Sequence, residues 1–264
     1  MILDDITAAV SKRLAADKAA ISPEEMKQLA LKAPKPVGYP FEQALSQPGL
    51  SFICEVKRAS PSKGLIAPHF PYKEIAKEYE AAGAAAISCL TERDYFQGSI
   101  DYLKDIASQV SIPVLRKDFI IDEYQIYEAR ANGAAAVLLI CAILDDDTLR
   151  RFFALADSLG LSALVEAHDA EEVRRALACG ARIIGVNNRN LKDFTVSLDT
   201  SCNLRSLVPP SVLFVAESGI KTAAHTKVLR QHGVDAVLIG ETLMRAADKK
   251  AMLQELAGEV HDAG

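Results

Sequence analysis

Apolar residues recur along this chain in short unbroken runs, four of them preceded by a helical repeat and a glycine. Four segments share that grammar: "AAGAAAISCL" (81–90), "ANGAAAVLLI" (131–140), "ACGARIIGVN" (178–187) and "QHGVDAVLIG" (231–240). Glycine suits the left-handed position just past a helix end, and a continuous apolar run suits a parallel strand covered on both faces. Four further runs, "SFICEVK" (51–57), "PVLRKDF" (113–119), "SALVEA" (162–167) and "VLFVAE" (212–217), bring the predicted strands to eight. Helical periodicity predicts helices over 72–82, 123–131, 146–159 and 170–178. Eight strands, each followed by a helix at spacings of about 20 to 30 residues, predict an α/β fold of the (β/α)8 TIM-barrel kind. A doubly wound sheet is the alternative. It is weakened by the eight-unit count and by the absence of a Gly-x-Gly-x-x-Gly turn after an early strand.

Residues 1–47 precede the first barrel strand and read as an N-terminal helical extension. They hold the helical stretch "DDITAAVSKRLAADKAA", a capping signal at "SPEE" and the proline-rich link "APKPVGYP". Residues 48–264 are expected to form the barrel and to carry the catalysis, ending over 248–264 in a last helix that frays into a polar tail.

Composition narrows the function. With 264 residues, half of them apolar, the chain can bury one large core. A net charge of −5 argues against nucleic acid as a partner, because phosphate neutralisation needs a basic surface. A small anionic ligand needs only a few cations. The first ten residues hold two acids and no basic stretch, so no secretory leader is expected. The longest uncharged apolar run, 134–144, is shorter than the roughly 20 residues that span a bilayer. No membrane is expected, and the cytoplasm is the expected location. Five cysteines without paired spacing, among them Cys54, Cys89 and Cys141 inside apolar runs, read as small core residues and not as disulfides.

Against this apolar background a few polar residues stand out. Alternation puts Ile53, Glu55 and Lys57 on one face of the first strand and Phe52, Cys54 and Val56 on the other. The apolar set must face the helices, so Glu55 and Lys57 point into the barrel at the C-terminal end of the strand, where this fold places its chemistry. Burying charge costs several kcal/mol even after relaxation. Yet the device recurs: Lys117 ends the third strand, Glu166 the fifth and Glu217 with Ser218 the seventh, while Asn187 and Arg189 follow the sixth. Five such strand ends argue for a polar active site at one rim. The turns "ESGI" and "IGET" place Gly219 and Gly240 after the seventh and eighth strands, where they serve either tight turns or a phosphate held by backbone N–H groups. His168, alone and without a partner at ligand spacing, reads as a surface or capping residue. No zinc-type cluster is visible. Phe96 and Phe119 read as core aromatics or as walls of a ring-binding pocket.

The stretches "FICEVKRASPSKG", "CLTERDYFQGS", "PVLRKDFIIDEYQIYEARANGAAAVLLI", "LVEAHD", "IGVNNRNL", "VAESGI" and "LIGETLMR", in this order, resemble the indole-3-glycerol phosphate synthase family from about residue 48 to 247. The resemblance implies a carboxy-lyase of tryptophan biosynthesis. Its reaction closes 1-(2-carboxyphenylamino)-1-deoxyribulose 5-phosphate to indole-3-glycerol phosphate with loss of carbon dioxide and water, without cofactor or metal. By that resemblance Lys117 is the general acid on the ketone, and Lys57 holds the substrate carboxylate. Glu166 is the base of the dehydration, and Glu55, Asn187 and Glu217 position lysines and hydroxyls. Arg189, Ser218, Gly219 and Gly240 fall in the phosphate region, and Ser60, Phe96 and Phe119 around the anthranilate half. The partner implied is this small phosphorylated substrate; protein partners are not implied. Two rivals are an aldolase-like barrel with an imine-forming lysine, which needs an uncharged amine, and a non-catalytic phosphate-binding barrel.

Overall fold

Because apolar side chains fill both faces of the predicted strands, the sheet must be covered inside and out, and closing it on itself achieves this. The computed structural model describes residues 2–190 and 193–258. Its barrel strands are β1 (Ser51–Val56), β2 (Ala86–Leu90), β3 (Val114–Lys117), β4 (Ala136–Ile140), β5 (Ser162–Ala167), β6 (Ile183–Asn187), β7 (Leu213–Glu217) and β8 (Ala236–Ile239). All neighbours are parallel, and β8 returns to β1 with Ser51 opposite Ala236. The closed order β1 to β8 excludes the doubly wound alternative.

Three helices precede β1: α1 (Ile2–Ala20), α2 (Pro23–Lys32) and α3 (Pro40–Leu45). The helices between strands are α4 (Tyr72–Ala81), α5 (Ile100–Ala107), α6 (Glu123–Ala131), α7 (Asp146–Ser158), α8 (Ala170–Ala178), α9 (Asp199–Arg205) and α10 (Ala223–Gln231); α11 (Glu241–Arg245) and α12 (Lys249–Ala257) follow β8. The αβ junction glycines Gly83, Gly133, Gly180 and Gly233 all have φ between 74° and 97°, the left-handed conformation that ends a helix at little cost. A short hairpin, Ala59–Ser60 against Gly64–Leu65, interrupts the loop after β1. Two-residue strands are too short to leave a periodic signal. The tail expected beyond residue 258 lies outside the described residues.

Alternation builds two cores. Phe52, Cys54 and Val56 face outward and pack with Ile75 and Tyr79 of α4, whereas Ile53, Leu115, Leu138, Leu164, Ile183 and Val215 fill the barrel interior. Phe41 and Leu45 of α3 join the interior cluster and are buried. The side chains of Glu55, Lys117, Glu166, Asn187 and Glu217 therefore have an apolar floor and open only toward the C-terminal rim.

The N-terminal helix reaches that rim. Ile6, Val10 and Leu14, four residues apart, form one apolar stripe packed with Met26 and Tyr124. Arg13 of the same helix lies 3.4 Å from Glu92 and 3.7 Å from Asp118. Lys18 pairs with Asp122 at 2.6 Å. Ser22 caps α2 by accepting from the Glu25 N–H, as the "SPEE" signal predicts.

Candidate active site

A cavity of about 670 Å³ opens at the C-terminal ends of the strands. Its lining includes Glu55, Lys57, Ser60, Phe96, Lys117 and Phe119, and also Glu166, Asn187, Arg189, Glu217, Ser218, Gly219 and Gly240. The residues that the resemblance assigns to the reaction and to the substrate thus border one space, whereas His168 lies outside its lining. Ile2, Leu3 and Ile6 of α1 border it too.

The centre is a cluster of three glutamates and two lysines. Lys57 Nζ lies 2.6 Å from Glu55 Oε1. Glu55 Oε2 accepts from Ser88 Oγ, its register partner across β1 and β2, at 3.3 Å. Lys117 Nζ hydrogen-bonds Glu217 Oε2 and lies 3.6 Å from Glu166 Oε2. Burial disfavours the charge on Lys117, but Glu217, Glu166 and Glu55 outweigh it and raise the pKa above the ordinary lysine value. Lys117 is therefore an ammonium.

The carboxylates differ from one another. Burial alone would raise Glu55, but Lys57, Lys117 and Ser88 pull its pKa below the usual value. Glu166 feels the same burial, yet Lys117, His168 and Asn187 lower it to about 2. Glu217 moves the other way, to about 7, because burial and the neighbouring Glu166 outweigh Lys117. Three buried carboxylates facing two lysines leave one negative charge in excess, and Glu217 is where a proton relieves it.

Two glycines create the room for this cluster. A Cβ at Gly240 would fall on Glu55 Oε1 and lie 2.8 Å from Lys57 Nζ. Its φ of −116° needs no glycine, so space and not a left-handed turn requires glycine here. A Cβ at Gly185, inside β6, would strike Glu217 Oε1 and approach Leu164 Cδ1 to 3.1 Å. We expect Gly240→Ala to part the Glu55–Lys57 pair and cost about 1–3 kcal/mol of stability through overpacking. Denaturant unfolding and turnover measured together check this: unchanged stability with full turnover would show that the pair tolerates the methyl.

The opposite wall is aromatic. Phe96 and Phe119 lie with ring centroids 6.0 Å apart, tilted by 36°. Glu92, fully buried, holds the loop that carries Phe96. Its carboxylate accepts the backbone N–H groups of Asp94, Tyr95 and Phe96 at 2.9, 2.7 and 3.0 Å. Lys63, Arg189 and Lys221 border the cavity beside Gly219 and Gly240. Ser218 and Gly219 both take the left-handed conformation, with φ of 67° and 80°. Glu241 turns its carboxylate to Arg245 at 3.1 Å, so a negative side chain next to Gly240 is partly neutralised.

His168 corrects the expectation of a surface residue. Its Nδ1 lies 2.9 Å from Glu172 Oε2 and its Nε2 3.3 Å from Glu166 Oε1, with the side chain only 18% exposed. Neither Glu92 nor the pairing of His168 with Glu166 and Glu172 is read from the sequence above. The signals were present: Asp169 and Glu172 have capping-box spacing, which turns the glutamate back over the helix start, and a glycine inside a strand such as Gly185 marks a close approach.

The comparisons with known proteins agree with this architecture. The solved structures of thiamine phosphate pyrophosphorylase from Pyrococcus furiosus (TM-score 0.62, 18% identity, covering 83% of this chain and 98% of that one) and 3-hexulose-6-phosphate synthase from Salmonella typhimurium (TM-score 0.65, 14% identity, 79% and 97%) share the fold. The family model described as indole-3-glycerol phosphate synthase matches residues 3–256. Proteins of that name from Ruminiclostridium cellulolyticum (56% identity over 258 residues, 98% of this chain and 99% of the relative) and Endomicrobium trichonymphae (56% over 256 residues, 97% and 99%) align along nearly their full lengths. A barrel whose rim gathers two lysines and three glutamates, matched along nearly all its length, belongs to the indole-3-glycerol phosphate synthase family.

Proposed function

We propose that this chain converts 1-(2-carboxyphenylamino)-1-deoxyribulose 5-phosphate to indole-3-glycerol phosphate, using its own lysines and glutamates and no metal or cofactor. The observation that carries the reading is Lys117, an ammonium fixed between Glu217 and Glu166 at the C-terminal rim of the barrel. Attack of the aromatic carbon on the ketone builds negative charge on the ketone oxygen. A preorganised cation there stabilises the transition state and can deliver the proton. The carboxylates that hold Lys117 charged also argue against an imine-forming lysine, which needs a free amine.

Lys57, beside Glu55 at the mouth of β1, is suited to receive the anthranilate carboxylate until carbon dioxide leaves, and then to protonate the departing hydroxyl. Glu166 removes the proton in the dehydration. At a pKa of about 2 it is a feeble base in the resting site, and the charge on Lys117 is the largest single cause of that depression. Once Lys117 has given its proton to the ketone oxygen, the depression weakens and Glu166 gains basicity when it is needed. Phe96, Phe119 and Ser60 would flank the anthranilate ring. Gly219 and Gly240, with Ser218, Arg189, Lys63 and Lys221, would take the phosphate through backbone N–H groups and cations. No helix among the described residues is long and apolar enough to cross a membrane, and five free thiols suit a reducing cytoplasm.

The test is direct. Purified protein given the carboxyphenylamino substrate after exhaustive chelation should develop indole fluorescence and release one carbon dioxide per product. No fluorescence at micromolar enzyme, or activity restored only by added zinc or magnesium, would overturn the reading.

A further inference from the structure

Outside the lysine–glutamate cluster, one titratable side chain touches a reacting group without a role in the proposed chemistry. His168 follows β5 directly and sits between two carboxylates on different elements. Glu172 in the first turn of α8 accepts both the His168 backbone N–H at 2.8 Å and Nδ1 at 2.9 Å through the same oxygen, Oε2. Glu172 is itself placed by the helix start, where Asp169 caps α8 by accepting the N–H groups of Glu171 and Glu172 at 2.9 Å. The ring is thus gripped along its Nδ1 edge, and its Nε2 edge must face Glu166. Nε2 is buried and has no aligned hydrogen-bond partner among the described residues; the acceptor it faces is Glu166 Oε1, at an ion-pair distance of 3.3 Å. The same Glu166 oxygen accepts from Asn187 Nδ2 at 3.3 Å, leaving Oε2 toward Lys117.

We propose that Glu172 and His168 form a positioning relay for Glu166: the helix fixes the ring, and the ring fixes and keeps ionised the carboxylate that acts as base. This rests on the function proposed above. Two carboxylates, both acceptors, on the two ring nitrogens call for protons on both, so the ring is an imidazolium. The groups facing it bear this out. Burial opposes the charge, while Glu166 of β5 and Glu172 of α8 outweigh it and raise the histidine to about 10. Lys117 of β3 meets the far oxygen of Glu166 and not the ring, Asn187 of β6 is neutral, and Arg175 of α8 turns to Asp146 at 2.6 Å. The relay therefore contributes a cation on the side of Glu166 opposite Lys117. That cation remains when Lys117 gives up its proton, and it keeps the carboxylate aligned through the later step.

The experiment compares wild type with His168→Leu, His168→Gln and Glu172→Gln in kcat and KM profiles from pH 3 to 9, with melting temperature at each pH, so that the acid limb of Glu166 is read below the titration of Glu217 near pH 7. Loss of the cation should lower kcat by about 10- to 100-fold in His168→Leu. The acid limb of kcat should move to higher pH by about one unit or more, because Glu166 becomes easier to protonate. KM should stay within about threefold. Glutamine retains a donor at the reach of Nε2 and should recover part of the loss, while Glu172→Gln should shift the limb the same way by less. A variant that only loosens packing would melt lower with its acid limb unmoved, and that result overturns the relay. If His168→Leu does not fold, Glu172→Gln decides: a shifted limb supports the relay and an unshifted one overturns it. A ¹⁵N spectrum of the wild-type ring is independent of turnover. Both nitrogens protonated at pH 8 is expected, and a neutral ring there would also overturn it. Wild-type activity in the same assay separates failure of the relay from failure of the proposed function.

Discussion

Lys117→Met is expected to lower kcat by ~10²–10⁴-fold while leaving substrate affinity within about tenfold, since the lost contact belongs to the transition state. Methionine nearly preserves the length of the side chain and removes only the charge and the proton. The reaction should leave no trace on the protein. Borohydride added during wild-type turnover should trap nothing, and intact mass should not change. A substrate-sized mass gain at Lys117 would instead identify an imine and an aldolase-like course. The substitution should also show in stability. Without Lys117 the buried carboxylates lose their main counter-charge, and Glu217, already raised to about 7, rises further. A carboxyl whose folded pKa exceeds its unfolded value of about 4.3 contributes stability that is full below that value and is lost as pH rises through the folded one. The variant should therefore approach the wild-type melting temperature near pH 4.5 and fall away from it by pH 8. A constant difference across that range would mean that Glu217 does not carry the excess charge.

Glu166→Gln should separate the two halves of the reaction. Glutamine preserves shape and the contact with Asn187 but cannot accept a proton, so condensation and decarboxylation should survive while dehydration stalls. In a single turnover with carboxyl-labelled substrate, up to one equivalent of carbon dioxide per site should appear without indole fluorescence, and steady-state kcat should fall by ~10²–10⁴-fold. If carbon dioxide and indole are lost together, Glu166 acts before decarboxylation and its assignment as the later base is wrong. The variant removes the negative neighbour that helps raise Glu217, so Glu217 should titrate lower than in the wild type.

Much of this site is written in local sequence. Glu55 and Lys57 could be assigned to the barrel interior because strands alternate with a period of two and the intervening Phe52, Cys54 and Val56 had to face the helices. Lys117, Glu166 and Glu217 followed from the same argument. The features that escaped depend on what approaches from another strand. Nothing in "LIGE" says that a carboxylate from β1 occupies the space beside Gly240, and nothing in "IIGVN" names Glu217 as the group that needs Gly185 bare. Arg13 lies 79 residues from Glu92 in the chain, so a periodic helix pattern shows which face of α1 is apolar but not which acids its polar edge meets. His168 looks partnerless at metal-ligand spacing, but the first turn of α8 supplies one partner, Glu172, and the strand end two residues earlier supplies the other, Glu166.

Glu92 has a consequence for how tightly a ligand can be held. Its carboxylate already gathers the three N–H groups that would otherwise leave the loop from Asp94 to Phe96 free to sample other shapes. The aromatic wall is thus set before any ligand arrives. Ordering a loop on association would consume a share of the gross binding energy, on the order of 0.5–1.5 kcal/mol for each side chain immobilised. Here that entropy is surrendered once, during folding, and the contact area that Phe96 and Phe119 offer an aromatic ring converts into affinity with little left to subtract.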